Sequence, residues 1–222
     1  MEEKNALVIS PHPDDMEIGM GGTVARLIDA GVNVISFVVT DGRRSTSVYG
    51  LSEEEMVQVR ESEAREAVGI LGIDFLILLG LDDVKSGGSQ EKFKNELKAA
   101  FARFKPGEVY MPHPEIDKHP THRTVSQMVL ETMKEIPPGE LSKGFKLWCY
   151  EVWTPFPNYD RIEDISLQMH MKNAAIEAHR SQVEYKNYTE GISGLNRYRA
   201  VFNETSGVTI MDYAEVFIEI KL

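Results

Sequence analysis

Two short stretches, far apart in the chain, combine side chains that bind divalent metals and move protons. The first is Pro11–Asp15 (PHPDD) and the second is His119–His122 (HPTH). A catalytic zinc ion typically has three protein ligands drawn from His and Asp/Glu and keeps one position for water. His12 and Asp15 can supply two ligands and His122 a third. The pattern therefore predicts metal-assisted hydrolysis.

The other polar residues of these stretches suit the proton transfers of such a reaction. Asp14 adjoins Asp15 but projects to a different side, because neighbouring residues of an extended segment point in different directions. It is placed to act as the general base that accepts a proton from the attacking water. His119 is placed either to hydrogen-bond the developing oxyanion or to protonate a leaving amine.

Each of these residues also has a purely structural interpretation. Histidines in loops and at helix starts are commonly just solvated, and an Asp-Asp pair after a strand commonly caps a helix or forms a turn. The two stretches both follow predicted strands, which favours a site. The spacing alone leaves both interpretations open.

The elements that must position these residues alternate along the chain. Apolar, β-branched segments predict strands at Ala6–Ser10, Val32–Thr40, Phe75–Gly80, Val109–Pro112, Phe145–Trp153 and Ala214–Leu222. Helical patterns cover Gly21–Ala30, Glu53–Leu71, Gln90–Phe104, Pro120–Glu135 and Glu163–Gln182. This alternation predicts an α/β fold in which a mostly parallel sheet lies between helical layers. In such sheets ligands bind outside the carboxyl ends of the strands, where PHPDD and HPTH fall.

Length and composition argue against several other classes of protein. A chain of 222 residues suits one domain, residues 1–222. The net charge is −11 and the basic residues are scattered, so we expect no nucleic-acid partner. The single Cys149 predicts a buried structural thiol and a reducing compartment. Because no segment approaches about 18 apolar residues, we expect a cytoplasmic protein without a membrane span.

Glycines that follow the first stretch raise the alternative of a nucleotide site. Gly19, Gly21 and Gly22 are spaced G-x-G-G, whereas dinucleotide-binding proteins carry G-x-G-x-x-G directly after a strand. Close packing of a helix on the sheet is the favoured role for these glycines.

Several motifs together resemble those of a known family. They are PHPDD followed by IGMGGT, TDG after the second strand, RESEAREAVGILG, DKHPTHR, KNAAIEAHRSQ and YAEVF. In this order they resemble the LmbE-like (PIG-L) family of zinc-dependent N-acetylglucosaminyl deacetylases. The resemblance runs from residue 6 to about residue 182 and resumes at 213–217.

The resemblance implies a fold, a cofactor and a reaction. It implies a Rossmann-like three-layer α/β/α sandwich that binds one Zn²⁺ per subunit and hydrolyses the acetamide of a small N-acetylated amino sugar. The residue roles it implies are zinc ligation by His12, Asp15 and His122, general base catalysis by Asp14, and transition-state stabilisation by His119. Several relatives are trimers or hexamers, so a homo-oligomer is also implied. The alternative is a non-catalytic metal- or sugar-binding protein on the same fold, although a pure binder needs no base.

The resemblance leaves substrate recognition open. Arg60 aligns with a position that contacts substrate in relatives, but an exposed ion pair on its own helix is an equal alternative. Arg43 is a further candidate for substrate binding and stands where many relatives carry Glu. Thr121 replaces the usual acid between the two later histidines.

Three further features are not assigned a catalytic role. His113 is expected not to be a ligand, because three protein ligands already suffice for a catalytic zinc. His179 is expected to form buried hydrogen bonds near the site. The segment Tyr185–Arg199 lacks clear periodicity and is interpreted either as a border of the pocket or as a surface loop.

Overall fold

A computed structural model describes residues 4–45, 50–137, 141–203 and 210–221. The strands are β1 (Asn5–Ser10), β2 (Asn33–Thr40), β3 (Phe75–Leu81), β4 (Glu108–Pro112), β5 (Lys146–Tyr150), β6 (Arg161–Asp164) and β7 (Ala214–Ile220). The helices are α1 (Asp15–Asp29), α2 (Glu53–Leu71), α3 (Gly87–Phe104), α4 (Pro120–Met133), α5 (Met169–Ala178), α6 (Arg180–Val183) and α7 (Tyr188–Val201).

The strands form one sheet in the order β3-β2-β1-β4-β5-β7-β6. Neighbours from β3 to β5 are parallel, and β7 runs antiparallel to both β5 and β6. The predicted α/β sandwich with a mostly parallel sheet is therefore confirmed. Right-handed crossovers through helices explain why the parallel strands can be neighbours.

Both faces of strand β1 are buried, as its continuous apolar sequence predicts. Leu7 and Ile9 pack with residues of α3 and α4, including Phe93 and Val125. Ala6 and Val8 pack on the opposite face with residues of α1, α2 and α5. Side chains alternate between the faces of a strand, so a strand between two helical layers needs apolar residues at every position.

Both ends of α2 are capped by residues suited to that position. Ser52 and Glu55 form a reciprocal capping box, and Gly72 ends the helix with φ of 79°. Cys149 is buried in β5, and burial raises the pKa of its thiol. No helix in the described ranges is both long and apolar enough to cross a membrane.

Three boundaries differ from the sequence predictions. Helix α1 begins at Asp15 and is kinked at Met20 (φ −147°, ψ 23°), so the predicted helix Gly21–Ala30 corresponds to its second segment, and the PHPDD stretch runs directly into the first. The predicted helix Glu163–Gln182 instead contains the end of strand β6, then α5 and α6, separated at His179. Strand β6 is a short edge strand with only one apolar residue, which explains why its sequence carries no strand signal.

The segment Tyr185–Arg199 is largely helical, so its interpretation as a surface loop is wrong. Helix α7 begins after Asn187, whose side chain accepts a hydrogen bond from the backbone of Glu190. The helix contains Gly191 and Gly194, which are poor helix formers and obscure its periodicity. Tertiary packing therefore overrides weak local propensity here.

The glycines of α1 allow close packing of helix on sheet. A Cβ at Gly19 would lie 2.3 Å from the ring of Tyr150, and one at Gly22 would lie 2.7 Å from Ile165. The Tyr150 hydroxyl in turn donates a hydrogen bond to the carbonyl of Ile9 at the end of β1. The packing role expected for these glycines is therefore confirmed.

A buried ion pair joins three elements behind α1. Glu215 on β7 is 1% exposed and accepts hydrogen bonds from the backbone of Gly22 and Thr23 at 3.1 and 2.7 Å. The ammonium of Lys172 on α5, which is fully buried, lies 2.6 Å from the same carboxylate. A buried carboxylate with this many donors fixes α1 against β7 and α5.

We expect Glu215→Ala to lower the free energy of unfolding by about 3–5 kcal/mol, because it leaves the buried ammonium of Lys172 without its partner. Urea unfolding of the purified variant measures this loss. Glu219→Ala is the matched control on the same strand, since Glu219 forms an exposed pair with Lys146 at 3.7 Å. That control is expected to cost less than about 1 kcal/mol. Equal losses for the two variants would contradict the importance of the buried pair.

Candidate metal centre

Two neighbouring parallel strands bring the stretches PHPDD and HPTH together. Strand β1 ends at Ser10 and the parallel strand β4 ends at Pro112, so the segments that follow both strands leave the sheet at its carboxyl edge. Each segment then passes through a short loop into a helix, α1 or α4. As a result, Nδ1 of His12 lies 3.1 Å from Nε2 of His122.

Three ligand atoms form a nearly equilateral triangle at this edge. Oδ2 of Asp15 lies 3.0 Å from Nδ1 of His12 and 3.1 Å from Nε2 of His122. Tetrahedral zinc with bonds of about 2.0–2.1 Å separates its ligands by about 3.3 Å. Asp15 and His122 are 1% and 0% exposed. Two imidazoles and one carboxylate that converge on one point fit a divalent metal.

His119 offers an alternative ligand. One nitrogen from each of His12, His119 and His122 lies within 4.8 Å of the others. That trio is wider than the triangle that includes Asp15, and it would leave a buried carboxylate beside the metal without coordinating it. The set of His12, Asp15 and His122 therefore fits better.

Burial and mutual contact perturb the titration of this cluster. Burial alone would raise the pKa of Asp15, but the imidazoles of His122 and His12 outweigh it and hold this pKa well below its usual range. Burial lowers the pKa of His122, yet the carboxylates of Asp15 and Asp117 overcome it and raise the pKa to about 10. The pKa of His119 falls to about 4, mainly because of burial and then because of the neighbouring histidines.

Asp14 does not serve as a helix cap. It occupies the N-cap position of α1, but its side chain makes no capping hydrogen bond. Its φ of 135° is unusual for a residue with a side chain, and such strain is concentrated at functional sites. Oδ2 of Asp14 instead lies 3.2 Å from Nη1 of Arg60, and the residue lines the cavity in front of the cluster.

The interpretation of Arg60 as part of an exposed pair is wrong. Arg60 is 2% exposed, and the exposed i,i+4 pair of this helix is formed by Arg65 and Glu61 at 2.7 Å. The buried guanidinium reaches the cavity and contacts Asp14. Gly42 of the TDG motif has φ of 71°, and a Cβ there would lie 2.8 Å from Nε of Arg60, so glycine leaves room for this side chain.

A cavity of about 290 Å³ opens in front of the cluster. Its wall includes Asp82, Arg44, Trp153 and Tyr188. The Trp153 indole stacks beside the His119 imidazole, with ring centres 6.3 Å apart and an angle of 25°. Tyr188 meets the indole edge to face at 5.8 Å. The cavity wall thus combines aromatic surface with charged groups.

Arg43 also lines this cavity, but its charge is already paired. Its guanidinium lies 2.6 Å from Oδ2 of Asp41, and its backbone donates to the same carboxylate. This pairing raises the pKa of Arg43. If Arg43 binds substrate, its guanidinium must either do so while still paired with Asp41 or exchange Asp41 for the substrate.

His113 and His179 do not belong to the cluster of His12, Asp15 and His122. Nδ1 of His113 accepts hydrogen bonds from the backbone of Glu115 and Ile116, both at 3.1 Å, and so stabilises the turn after β4. His179 is 1% exposed, but within the described residues neither of its ring nitrogens has a hydrogen-bond partner, so the expectation of buried hydrogen bonds is wrong. Its Nε2 lies 3.7 Å from a carboxylate oxygen of Glu17, which is an ion-pair distance only. Gln182 reaches the cavity and donates to the hydroxyl of Ser45.

Sequence reasoning did not identify some residues of the site. Asp117 contacts the ring of His122 at 3.1 Å, and its position two residues before His119 was the available signal. Trp153 lies just after β5, at the same sheet edge as the stretches PHPDD and HPTH. Tyr188 belongs to the segment that lacks clear periodicity. Aromatic residues at strand ends and near predicted loops are too common for sequence alone to select these two.

The fold and the cluster together define a Rossmann-like α/β protein with a histidine–carboxylate cluster at the carboxyl edge of its sheet. Residues 7–133, more than half of the chain, match the family model PIG-L, described as GlcNAc-PI de-N-acetylase. The chain belongs to the PIG-L family.

Relatives and a solved structure agree with this membership. Diacetylchitobiose deacetylase of Thermococcus kodakarensis is 30% identical over 190 residues, which cover 81% of this chain and 70% of the relative. A Bacillus cereus protein named "Probable N-acetyl-alpha-D-glucosaminyl L-malate deacetylase 2" is 27% identical over 194 residues, covering 82% and 85% of the two chains. The structure of N,N'-diacetylchitobiose deacetylase from Pyrococcus horikoshii in complex with an inhibitor superposes with a TM-score of 0.82 at 26% identity, covering 99% of this chain and 84% of that one.

Proposed function

We propose that this protein is a zinc-dependent hydrolase that removes the acetyl group from a small molecule containing N-acetylglucosamine. The observation that carries the proposal is the convergence of His12, Asp15 and His122 on one point, with Asp14 and His119 at the edge of the same cavity. The relatives named as deacetylases of N-acetylated sugars support the reaction and the class of substrate.

The chemistry of the cluster supports a bound divalent metal. His12, Asp15 and His122 would hold a zinc ion, and the chemistry that it would supply there is Lewis-acid activation of the acetamide carbonyl and of water near neutral pH. The buried carboxylate of Asp15 supplies the negative charge that a divalent cation needs in a site shielded from solvent.

The side chains around the ligands carry out the proton transfers. The Asp14 carboxylate accepts the proton of the attacking water, and the neighbouring guanidinium of Arg60 orients it. His119 lies between the cluster and Trp153, where its imidazole can donate a hydrogen bond to the oxyanion that develops on the carbonyl. The proton taken by Asp14 is returned to the leaving nitrogen, which gives acetate and a free amine.

The cavity wall suits a sugar. Trp153 and Tyr188 present aromatic faces, while Asp82 and Arg44 present groups that hydrogen-bond hydroxyls. Ligand pockets combine apolar walls with a few polar groups that fix orientation, and they start at about 300 Å³. A cavity of about 290 Å³ is close to that limit and therefore suits a monosaccharide unit or a small glycoside.

We expect substitution of Arg60 to lower kcat/KM about 10–100-fold, because a hydrogen bond to a charged group is worth about 1.5–3 kcal/mol. Arg60→Lys keeps the charge and is expected to recover part of the loss seen in Arg60→Ala. Arg65→Ala is the matched control, since Arg65 lies on the same helix but is exposed and paired with Glu61. Steady-state kinetics on the preferred substrate, with urea unfolding of each variant, checks this prediction. A normal kcat/KM for folded Arg60→Ala would contradict it.

The experiment that tests the function is acetate release from a panel of compounds. The panel contains N-acetylglucosamine, diacetylchitobiose and an N-acetylglucosaminyl malate, tested with zinc-loaded, metal-free and chelator-treated protein of known metal content. Release that depends on zinc and is abolished by the chelator supports the proposal. Zinc and sugar binding without any release across the panel would favour the alternative, a non-catalytic binding protein.

A further inference from the structure

One buried carboxylate behind the metal centre contacts three functional parts of the site at once. Asp117, in the loop between β4 and α4, is 2% exposed. Its Oδ1 accepts a hydrogen bond from the backbone of His119 at 2.7 Å. Its Oδ2 lies 3.1 Å from Nδ1 of His122 and 3.3 Å from the backbone nitrogen of Trp153.

The contact with His122 determines which ring nitrogen faces the metal centre. A carboxylate only accepts hydrogen bonds, so Nδ1 of His122 must carry the proton that it shares with Asp117. When a metal displaces the second ring proton, Nε2 is the nitrogen left with a free lone pair, and it is the atom that lies within 3.1 Å of both His12 Nδ1 and Asp15 Oδ2. A hydrogen-bond partner behind a histidine ligand fixes its tautomer and its orientation in this way.

The two backbone contacts place the rest of the site relative to that ligand. His119 precedes α4, and Trp153 follows β5, so these two residues come from different loops. Both backbone nitrogens donate to the carboxylate that holds His122. The imidazole of His119 and the indole of Trp153 consequently stay stacked beside the metal ligands.

We propose that Asp117 is the positioning residue of this site: it sets the tautomer of His122 for metal binding and holds the loops of His119 and Trp153 at the cavity. This inference rests on the proposed function, because it assumes that the cluster binds zinc. Asp117 acts through its neighbours and has no contact with the reacting atoms of its own.

Asparagine at this position gives a sharp test because it replaces an acceptor by a donor. If the amide oxygen of Asp117→Asn keeps the contact with His119, its NH₂ group faces Nδ1 of His122 and favours the tautomer with the proton on Nε2. If the amide turns over, its NH₂ group faces the backbone N–H of His119 and one hydrogen bond is lost. Asp117→Ala removes both acceptor oxygens, and with them all three contacts, without imposing the wrong tautomer.

Zinc affinity, measured by competition with a chromophoric chelator, is the first readout. We expect both variants to bind zinc about 10–100-fold more weakly than the unaltered protein, the loss typical when the partner of a histidine ligand is removed. Glu115→Gln, an exposed acid in the same loop, is the control and is expected to keep full affinity. Nitrogen-15 spectra of the imidazoles provide the second readout, since a purely structural role would not change which nitrogen of His122 carries the proton.

The outcomes separate this inference from the function on which it rests. Weakened zinc binding in both folded variants, with an altered His122 spectrum in Asp117→Asn, supports the role of Asp117. Unchanged affinity and an unchanged His122 spectrum in both variants would overturn that role and leave the metal centre intact. An unaltered protein that binds no zinc would overturn the metal centre and this inference together.

Discussion

Asp14→Asn is expected to retain the metal and to lose about 10²–10⁴-fold in kcat, the contribution typical of a general base. The amide has the shape of the carboxylate but cannot accept a proton from water. Asparagine also tolerates positive φ better than most residues, so the backbone of position 14, with φ of 135°, is expected to survive the change. Steady-state acetate release and the zinc content of the same preparation measure the two effects.

Asp29→Asn is the control for this prediction. Asp29 ends the same helix, is exposed, and accepts a hydrogen bond from Gln168 far from the cavity. Its activity and zinc content are expected to be normal. Full activity of Asp14→Asn at normal zinc content would show that another group accepts the proton, and the assignment of Asp14 would be wrong.

Replacing one of the proposed metal ligands is expected to have the opposite effect, in which the metal is lost and activity falls as a consequence. His12→Ala and His122→Ala should each lose more than about 100-fold in zinc affinity, a larger loss than the removal of a partner behind a ligand. Acetate release should disappear as a consequence and return in part at high zinc concentration. Chelator competition and metal analysis measure affinity independently of the reaction.

Two variants are needed because their effects on folding differ. His122 is fully buried between Asp15 and Asp117, so its removal leaves two buried carboxylates without their cationic partner. The side chain of His12 is 22% exposed, and its loss is expected to disturb folding less. His170→Ala replaces an exposed histidine and is the control. Normal zinc affinity in both ligand variants would contradict the proposed ligand set.

The position of the cluster could be predicted from sequence because it depends on topology. Apolar segments that alternate with helical patterns imply parallel strands, and the carboxyl ends of parallel strands meet at one edge. His12 and His122 each follow such a strand, so their encounter at 3.1 Å required no knowledge of individual side-chain contacts. The family motifs strengthened the same prediction, because they contain these residues in the same order.

The environment of Arg60 could not be predicted in this way. Helical periodicity places Arg60 near Glu61, Glu63 and other acids, which favours an exposed pair. Only the packing of α2 against the loop that contains Gly42 buries the guanidinium and directs it to Asp14. Contacts between elements that are far apart in sequence decide such a case, and local spacing carries no information about them.

The sequence by itself determined the α/β architecture, the placement of two loops at the carboxyl ends of parallel strands, and the residue types that make a metal centre chemically possible. Those features follow from hydrophobic patterning and from the few connections that parallel strands allow. The tertiary structure alone decided that Asp117 supports His122, that Trp153 and Tyr188 form the cavity wall, and that Tyr185–Arg199 is largely helical. These depend on burial and on hydrogen bonds between distant segments, whose free energies outweigh the weak preferences of the local sequence.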